Sequence, residues 1–348
     1  MTTLIEKLSV CELSEDRAKN IIETAASILR DGGLVVFPTE TVYGLGGNAL
    51  DADAARKIYA AKGRPSDNPL IIHVADPSEA EKYCYTSKLY YDLAKAFMPG
   101  PLTVILPKRS IIPSSVTGGL DSVAVRCPSH PIARMLITCS GFPVAAPSAN
   151  ISGRPSPTCA DFVIEDMDGR VDMIIDGGEC DIGLESTIVK IDGERLVLLR
   201  PGAITYDALA CVCENVSVAD AVIGALAENE RPLSPGMKYR HYAPNSPFVL
   251  VKGSEDDVLD FFKASLKSEN CAILCYDEEL HELSGNKLIP IGGRNDLAHQ
   301  AKVLFTSLRR ADKTGADVIY AHLPPLDGLG LALYNRMIRA AAHTIKEI

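Results

Sequence analysis

Residues 34–46 read LVVFPTETVYGLG, and the first four predict a strand: an apolar run rich in β-branched Val, too short for a helix and stopped by Pro38. Behind it, Thr39 and Thr41 supply hydroxyls. Gly44, Gly46 and Gly47 supply a turn in which backbone can come close to a ligand. Similar apolar runs recur at 70–74, 103–106, 122–126, 172–175, 186–191 and 196–199. Helical periodicity covers 14–30, with Ser14 as a candidate cap, and also 51–62, 87–97 and 130–139. Strands interleaved with helices in this way predict an α/β first domain, residues 1–230, built on a twisted sheet of mixed direction with flanking helices.

At 231–247 the texture changes: Pro232, Pro235, Gly236, Pro244 and Pro247 break any regular element, which predicts a linker. After it, strands at 248–252, 271–276, 287–291 and 317–322 alternate with helices at 254–267, 296–312 and 326–342. That order predicts a small Rossmann-like parallel sheet over 248–348. It contains no GxGxxG, so dinucleotide binding has no support there.

Composition narrows the function. Of 348 residues, 47% are apolar and 23% charged, as in an ordinary folded protein. A net charge of −10 argues against broad nucleic-acid binding and leaves room only for a local basic cleft. No run is long and apolar enough for a membrane span, and the N-terminal residues, with Glu6, Glu12, Glu15 and Asp16, do not resemble a secretory signal, so a cytoplasmic location is expected. The ten cysteines form no CxxC pair, and most of them read as small core residues.

Polar clusters fall at the ends of the expected strands, where α/β proteins commonly place binding loops. Lys62 and Arg64, two apart in KGRPSDNP, could bind separate oxygens of a polyphosphate, and His73 lies on the strand behind them. Taken alone, the pair reads rather as solvated cations at a helix C-terminus, where cations are favoured anyway, and His73 rather as a hydrogen-bonded core histidine than as a ligand contact. Arg126 ends a strand and suits a carboxylate or an internal ion pair. Ser148, Asn150, Ser152 and Ser156 make a donor-rich loop, and Ser186 and Arg200 stand near later strand ends. No nucleophile–base pair, no glycosidase acid pair and no GxxxxGK[ST] occurs. Cations and hydroxyls of this kind suit anion binding and nucleotidyl transfer by positioning.

Taken together, FPTETVYGLG, the Lys62/Arg64 KxR pair, the Ser148/Asn150 SxN pair and SPGMKYRHYAP at 234–244 closely resemble the Sua5/YrdC/YwlC family, in its two-domain Sua5 type. The resemblance runs from about residue 14 to the C-terminus. It implies a YrdC-like catalytic domain that converts L-threonine, bicarbonate or CO2, and ATP into L-threonylcarbamoyladenylate and pyrophosphate. Mg²⁺ would accompany the ATP, with no organic cofactor. The product would pass to a tRNA threonylcarbamoyltransferase that forms N6-threonylcarbamoyladenosine at position 37. By motif, the resemblance implies Lys62 and Arg64 as catalytic residues. It places Thr41, His73, Arg126, Ala146 (through its backbone) and Ser186 at the threonine site. Arg64, Asn68, Ser122, Ser148, Asn150, Ser156 and Arg200 fall at the ATP site, and Tyr239, Arg240 and His241 on a lid. The alternative reading is a YrdC-type RNA-binding module, against which the acidic charge weighs.

Overall fold

The computed structural model describes residues 2–224 and 241–348. They divide into two compact units. The first takes the chain up to Ser152, Ser156–Asp181 and the stretch from Glu185 onward; the second takes Gly153–Pro155, Ile182–Leu184 and the C-terminal part. Of the expected linker and lid, Tyr239 and Arg240 lie outside the described residues, whereas His241 is described.

The first unit opens with β1 (Leu4–Lys7), α1 (Asp16–Arg30), β2 (Val35–Phe37), β3 (Gly44–Asn48), α2 (Ala52–Lys62), β4 (Ile71–His73) and α3 (Lys88–Phe97). It continues with β5 (Leu102–Pro107), β6 (Ser122–Arg126), α4 (Pro131–Ser140), β7 (Val144–Ala145), α5 (Ala160–Met167) and β8 (Met173–Asp176). β9 (Thr187–Asp192), β10 (Arg195–Arg200), α6 (Tyr206–Ala210) and β11 (Val216–Val218) complete it. Its strands form an 11-stranded sheet in the order β1-β8-β2-β3-β7-β4-β6-β5-β9-β10-β11. Direction is mixed: β4 runs parallel to β6, and β5 antiparallel to it.

The first helix buries Ala18, Ile21, Ile22, Ala25, Ala26 and Leu29, the stripe that its periodicity predicts. Its N-cap is Glu15 rather than Ser14, and no side chain caps it. The Gly-rich run expected as a turn is a strand instead. β3 pairs antiparallel with β2, Val35 opposite Gly46 and Phe37 opposite Gly44. Its glycines answer to neighbouring bulk, since a Cβ on Gly46 would lie 2.8 Å from the Phe37 ring and 2.9 Å from Val144 Cγ1. β1, β7, α5, α6 and the last strand of the chain are also elements that periodicity did not predict; several are too short to show a period.

The second unit contains β12 (Phe248–Lys252), α7 (Glu255–Ser268), β13 (Cys271–Cys275), β14 (Leu288–Pro290), α8 (Leu297–Lys313), β15 (Val318–His322), α9 (Gly330–Ala340) and β16 (Ile345–Glu347). It is the expected Rossmann-like sheet: five strands, β14-β13-β15-β12-β16, every pair parallel. Ser254 and Asp296 cap α7 and α8 through their side chains. Among the described residues no helix is long and apolar enough to cross a membrane.

Replacing Gly46 with Ala should overpack the hairpin against Phe37 and Val144 and lower the unfolding free energy by about 1–3 kcal/mol, measured by urea denaturation. An unchanged midpoint would show that the ring and the valine yield without cost.

Candidate functional site

Sheet register assembles the centre of the site. His73 lies opposite Arg126 across the β4/β6 ladder, and Arg126 lies opposite Thr103 across β6/β5. His73 also pairs with Val144 of β7. All three polar residues are buried. Paired residues on neighbouring strands sit about 5 Å apart, so the imidazole, guanidinium and hydroxyl stand in one row across the sheet.

The loop after β2 supplies the counter-charge. Arg126 Nη2 donates to Glu40 Oε1 at 2.6 Å, with side-chain exposures of 5% and 7%. Burial alone would raise the Glu40 carboxyl pKa. The Arg126 charge and hydrogen bond, together with the backbone N–H groups of Glu40 and Ser129, outweigh it and hold the pKa below the usual value. In the same loop Thr39 Oγ1 donates to the Val42 carbonyl at 2.6 Å and meets Thr41 Oγ1 at 2.9 Å. A hydroxyl has one proton, so Thr41 is the donor in that second bond.

His73 is held neutral. Its Nδ1 lies 3.2 Å from the Val144 carbonyl, an acceptor, so Nδ1 carries the proton and Nε2 is left as an acceptor. Burial, then the nearby Arg126 charge, push its pKa down to about 3. At the far end of the row Thr103 Oγ1 meets Ser186 Oγ at 2.8 Å, and Arg200 grips Ser186 twice, Nε to its carbonyl at 3.0 Å and Nη2 to its hydroxyl at 3.1 Å.

A second group gathers around the end of α2. Gly63, left-handed at φ 59, stops the helix and turns the chain. Lys62 is 2% exposed, and its ammonium is turned to the donor-rich loop: Nζ donates to the Ser148 and Asn150 carbonyls at 2.6 Å each and to Asn150 Oδ1 at 3.4 Å. Each of its three donors thus has a loop oxygen in reach. Arg64 Nη2 donates to the carbonyls of Asn68 and Pro69 at 3.2 and 3.0 Å. Ser148 bridges to Gly44 of β3, and the Ala146 N–H is given to the Ile71 carbonyl, so only the Ala146 carbonyl could meet a ligand.

Ser156 bonds the neighbour of Ser186 at the end of the row, whereas Ser122 stands apart from the row. Ser156 Oγ donates to Glu185 Oε1 at 2.6 Å. Ser122 begins β6, four residues upstream of Arg126, which at about 3.3 Å per residue places it roughly 13 Å away along the strand. Glu40, Thr103 and Glu185 were not anticipated from the sequence. Thr103 is a lone polar residue in the apolar run 102–106, the one signal that could have marked it, whereas Glu40 and Glu185 stand among other polar residues and only their burial singles them out. Among the described residues no group of three His, Cys, Asp or Glu side chains could hold a metal ion.

The comparisons with known proteins match this arrangement along the chain. A family model described as telomere recombination, that of the Sua5, YciO and YrdC proteins, matches residues 27–202. A second, described as threonylcarbamoyl-AMP synthase, C-terminal domain, matches 204–342. The chain belongs to the Sua5/YciO/YrdC family. Among its relatives, the threonylcarbamoyl-AMP synthase of Pyrococcus abyssi is 43% identical over 94% of this chain and 96% of its own. That of Bacillus subtilis is 44% identical over 92% of each. The crystal structure of P. abyssi Sua5 complexed with L-threonine superposes with a TM-score of 0.91 at 41% identity, covering 99% of this chain and 100% of that one.

Two outcomes are expected for this Sua5/YciO/YrdC member. Lys62→Met orphans the loop carbonyls and should cost on the order of 1–3 kcal/mol of stability in denaturant unfolding. Loss of ATP affinity with unchanged stability would instead put the ammonium on phosphate. For His73 the folded pKa of about 3 lies below its ordinary 6.5. Between those values the unfolded chain binds a proton that the folded chain does not, so stability falls as pH drops through that window. His73→Gln should flatten the acid limb of stability against pH, and an unaltered limb would mean that the imidazole titrates normally.

Proposed function

We propose that this protein is an L-threonylcarbamoyladenylate synthase. A neutral threonine amine attacks CO2 to give a carbamate and a released proton. A carbamate oxygen then attacks the α-phosphorus of ATP, and pyrophosphate leaves with the bonding pair. Neither step needs a covalent bond to the protein, in keeping with a site that offers cations, hydroxyls and carbonyls but no activated nucleophile. The observation that carries the reading is the Arg126 guanidinium, a carboxylate anchor buried beside neutral His73, in a chain 41% identical over 99% of its length to a protein solved with L-threonine.

In this reading Thr41, His73, Arg126, Ser186 and the Ala146 carbonyl hold threonine. Arg64, Asn68, Ser122, Ser148, Asn150, Ser156 and Arg200 serve ATP, and Lys62 shapes the loop that carries two of them. Mg²⁺ enters with the triphosphate as its counter-ion. The product is a mixed anhydride, an activated acyl donor for a tRNA threonylcarbamoyltransferase, and this assigns the protein to formation of N6-threonylcarbamoyladenosine. Pyrophosphate release should require ATP, Mg²⁺, L-threonine and bicarbonate together. Omitting any one should abolish it, and equal release without threonine would overturn the assignment.

A further inference from the structure

Glu40 has no place among the substrate contacts above, yet it forms a buried ion pair with one of them. Its pairing with Arg126 is incompletely satisfied: Glu40 Oε2 and Arg126 Nε, one atom on each partner, are buried with no hydrogen-bond partner among the described residues. Removing two charges from water costs several kcal/mol per ion, and attraction repays that only when the remaining polar atoms are also bonded. An apolar pair of similar volume would serve the fold as well, so stability alone does not account for these two charges.

Charge balance does. Among the described residues, the groups facing the pair are His73 across the β4/β6 ladder, Cys127 next to Arg126, His130 at the start of α4, and Cys180 after β8. Burial lowers the pKa of both histidines and raises that of both thiols, so all four are neutral near pH 7. Asp181 is exposed at the rim. Among the described residues, the middle of the row therefore contains one fixed cation and one fixed anion 2.6 Å apart, with Arg200 at the far end on Ser186. Without Glu40 it would be a bare guanidinium in a low-dielectric surround, and would bind any small anion. With Glu40 it disfavours entry of a ligand that brings only negative charge and admits one that brings its own cation, as threonine does before its ammonium gives up the proton that frees the amine to attack.

We propose that Glu40 is the positioning and specificity-determining residue of the amino-acid site: by holding Arg126 Nη2 it aims the guanidinium, and by cancelling its charge it restricts the site to a zwitterionic α-amino acid. The inference rests on the threonine-site reading. It differs from a purely structural ion pair in what it demands of ligands lacking the amine.

The test uses the full-length protein in the pyrophosphate-release assay, with 3-hydroxybutanoate, threonine without its amine, as a competitor. The wild type should be inhibited weakly. Glu40→Gln should bind the competitor about tenfold more tightly and show a KM for threonine about tenfold higher. Its KM for ATP should stay within about twofold of wild type. If competitor affinity is unchanged, or if both KM values rise together with a fall in Tm, Glu40 is structural and the proposal falls. Glu40→Asp provides the same test should Glu40→Gln fail to fold: with charge retained and reach shortened, KM for threonine should rise while 3-hydroxybutanoate stays weak. Competitor binding tightened by Glu40→Asp would overturn the charge argument. Threonine-independent release by the wild type would remove the site reading itself, whereas threonine-dependent release with unaltered anion discrimination in the variant would remove only the role of Glu40.

Discussion

The parallel pairing of β4 with β6 is the constraint on which the rest of the site depends. That ladder sets His73 beside Arg126, and the antiparallel pairing of β6 with β5 extends the row to Thr103. A slip of one residue would turn each side chain to the other face of the sheet, putting a guanidinium into the core and Val125 into the cleft. Ile72, Val104 and Val125 are fully buried in the main core, so the apolar face that stabilises the sheet also holds the register of the polar one.

A row of buried polar groups is costly unless each has a partner, and loops together with neighbouring strands provide them. The loop after β2 brings Glu40 to Arg126, β7 brings the Val144 carbonyl to His73, and the strand-end turn before β9 brings Ser186 to Thr103 and Arg200. The hairpin of β2 and β3 matters for the same reason. Its glycines let Phe37 and Val144 close over the backbone, and Phe37 in turn packs edge-on to His73 at 6.3 Å. Packing, tautomer and charge state are thus linked: the burial that orders the imidazole is also what keeps it neutral.

The loop at 148–150 follows a different principle. Beyond the Ser148–Gly44 bridge and the Ala149 N–H bond to the Tyr43 carbonyl, its carbonyls at 148 and 150 are gathered by a buried ammonium. Lys62 reaches it from the last turn of α2, where the left-handed Gly63 ends the helix. A compact charge with three rotatable donors suits oxygens that converge from several directions, which a planar guanidinium would not.

What the sequence determined by itself was the class of fold and the outline of the chemistry. Apolar runs and amphipathic stripes are local, so the strands ending at Phe37, His73 and Arg126, the stripe of α1, and the alternating elements after residue 247 were legible from spacing. So was a family likeness carried by short motifs, because those motifs are contiguous. Pairing is not local. That the Gly44–Asn48 run is a strand rather than a turn, that Glu40 neutralises Arg126, that Thr103 meets Ser186 and that Lys62 faces a loop rather than outward each join residues distant along the chain or hidden in apolar context. Only tertiary structure could decide them, because the energy that selects each partner comes from burial, and burial exists only once the sheet has closed.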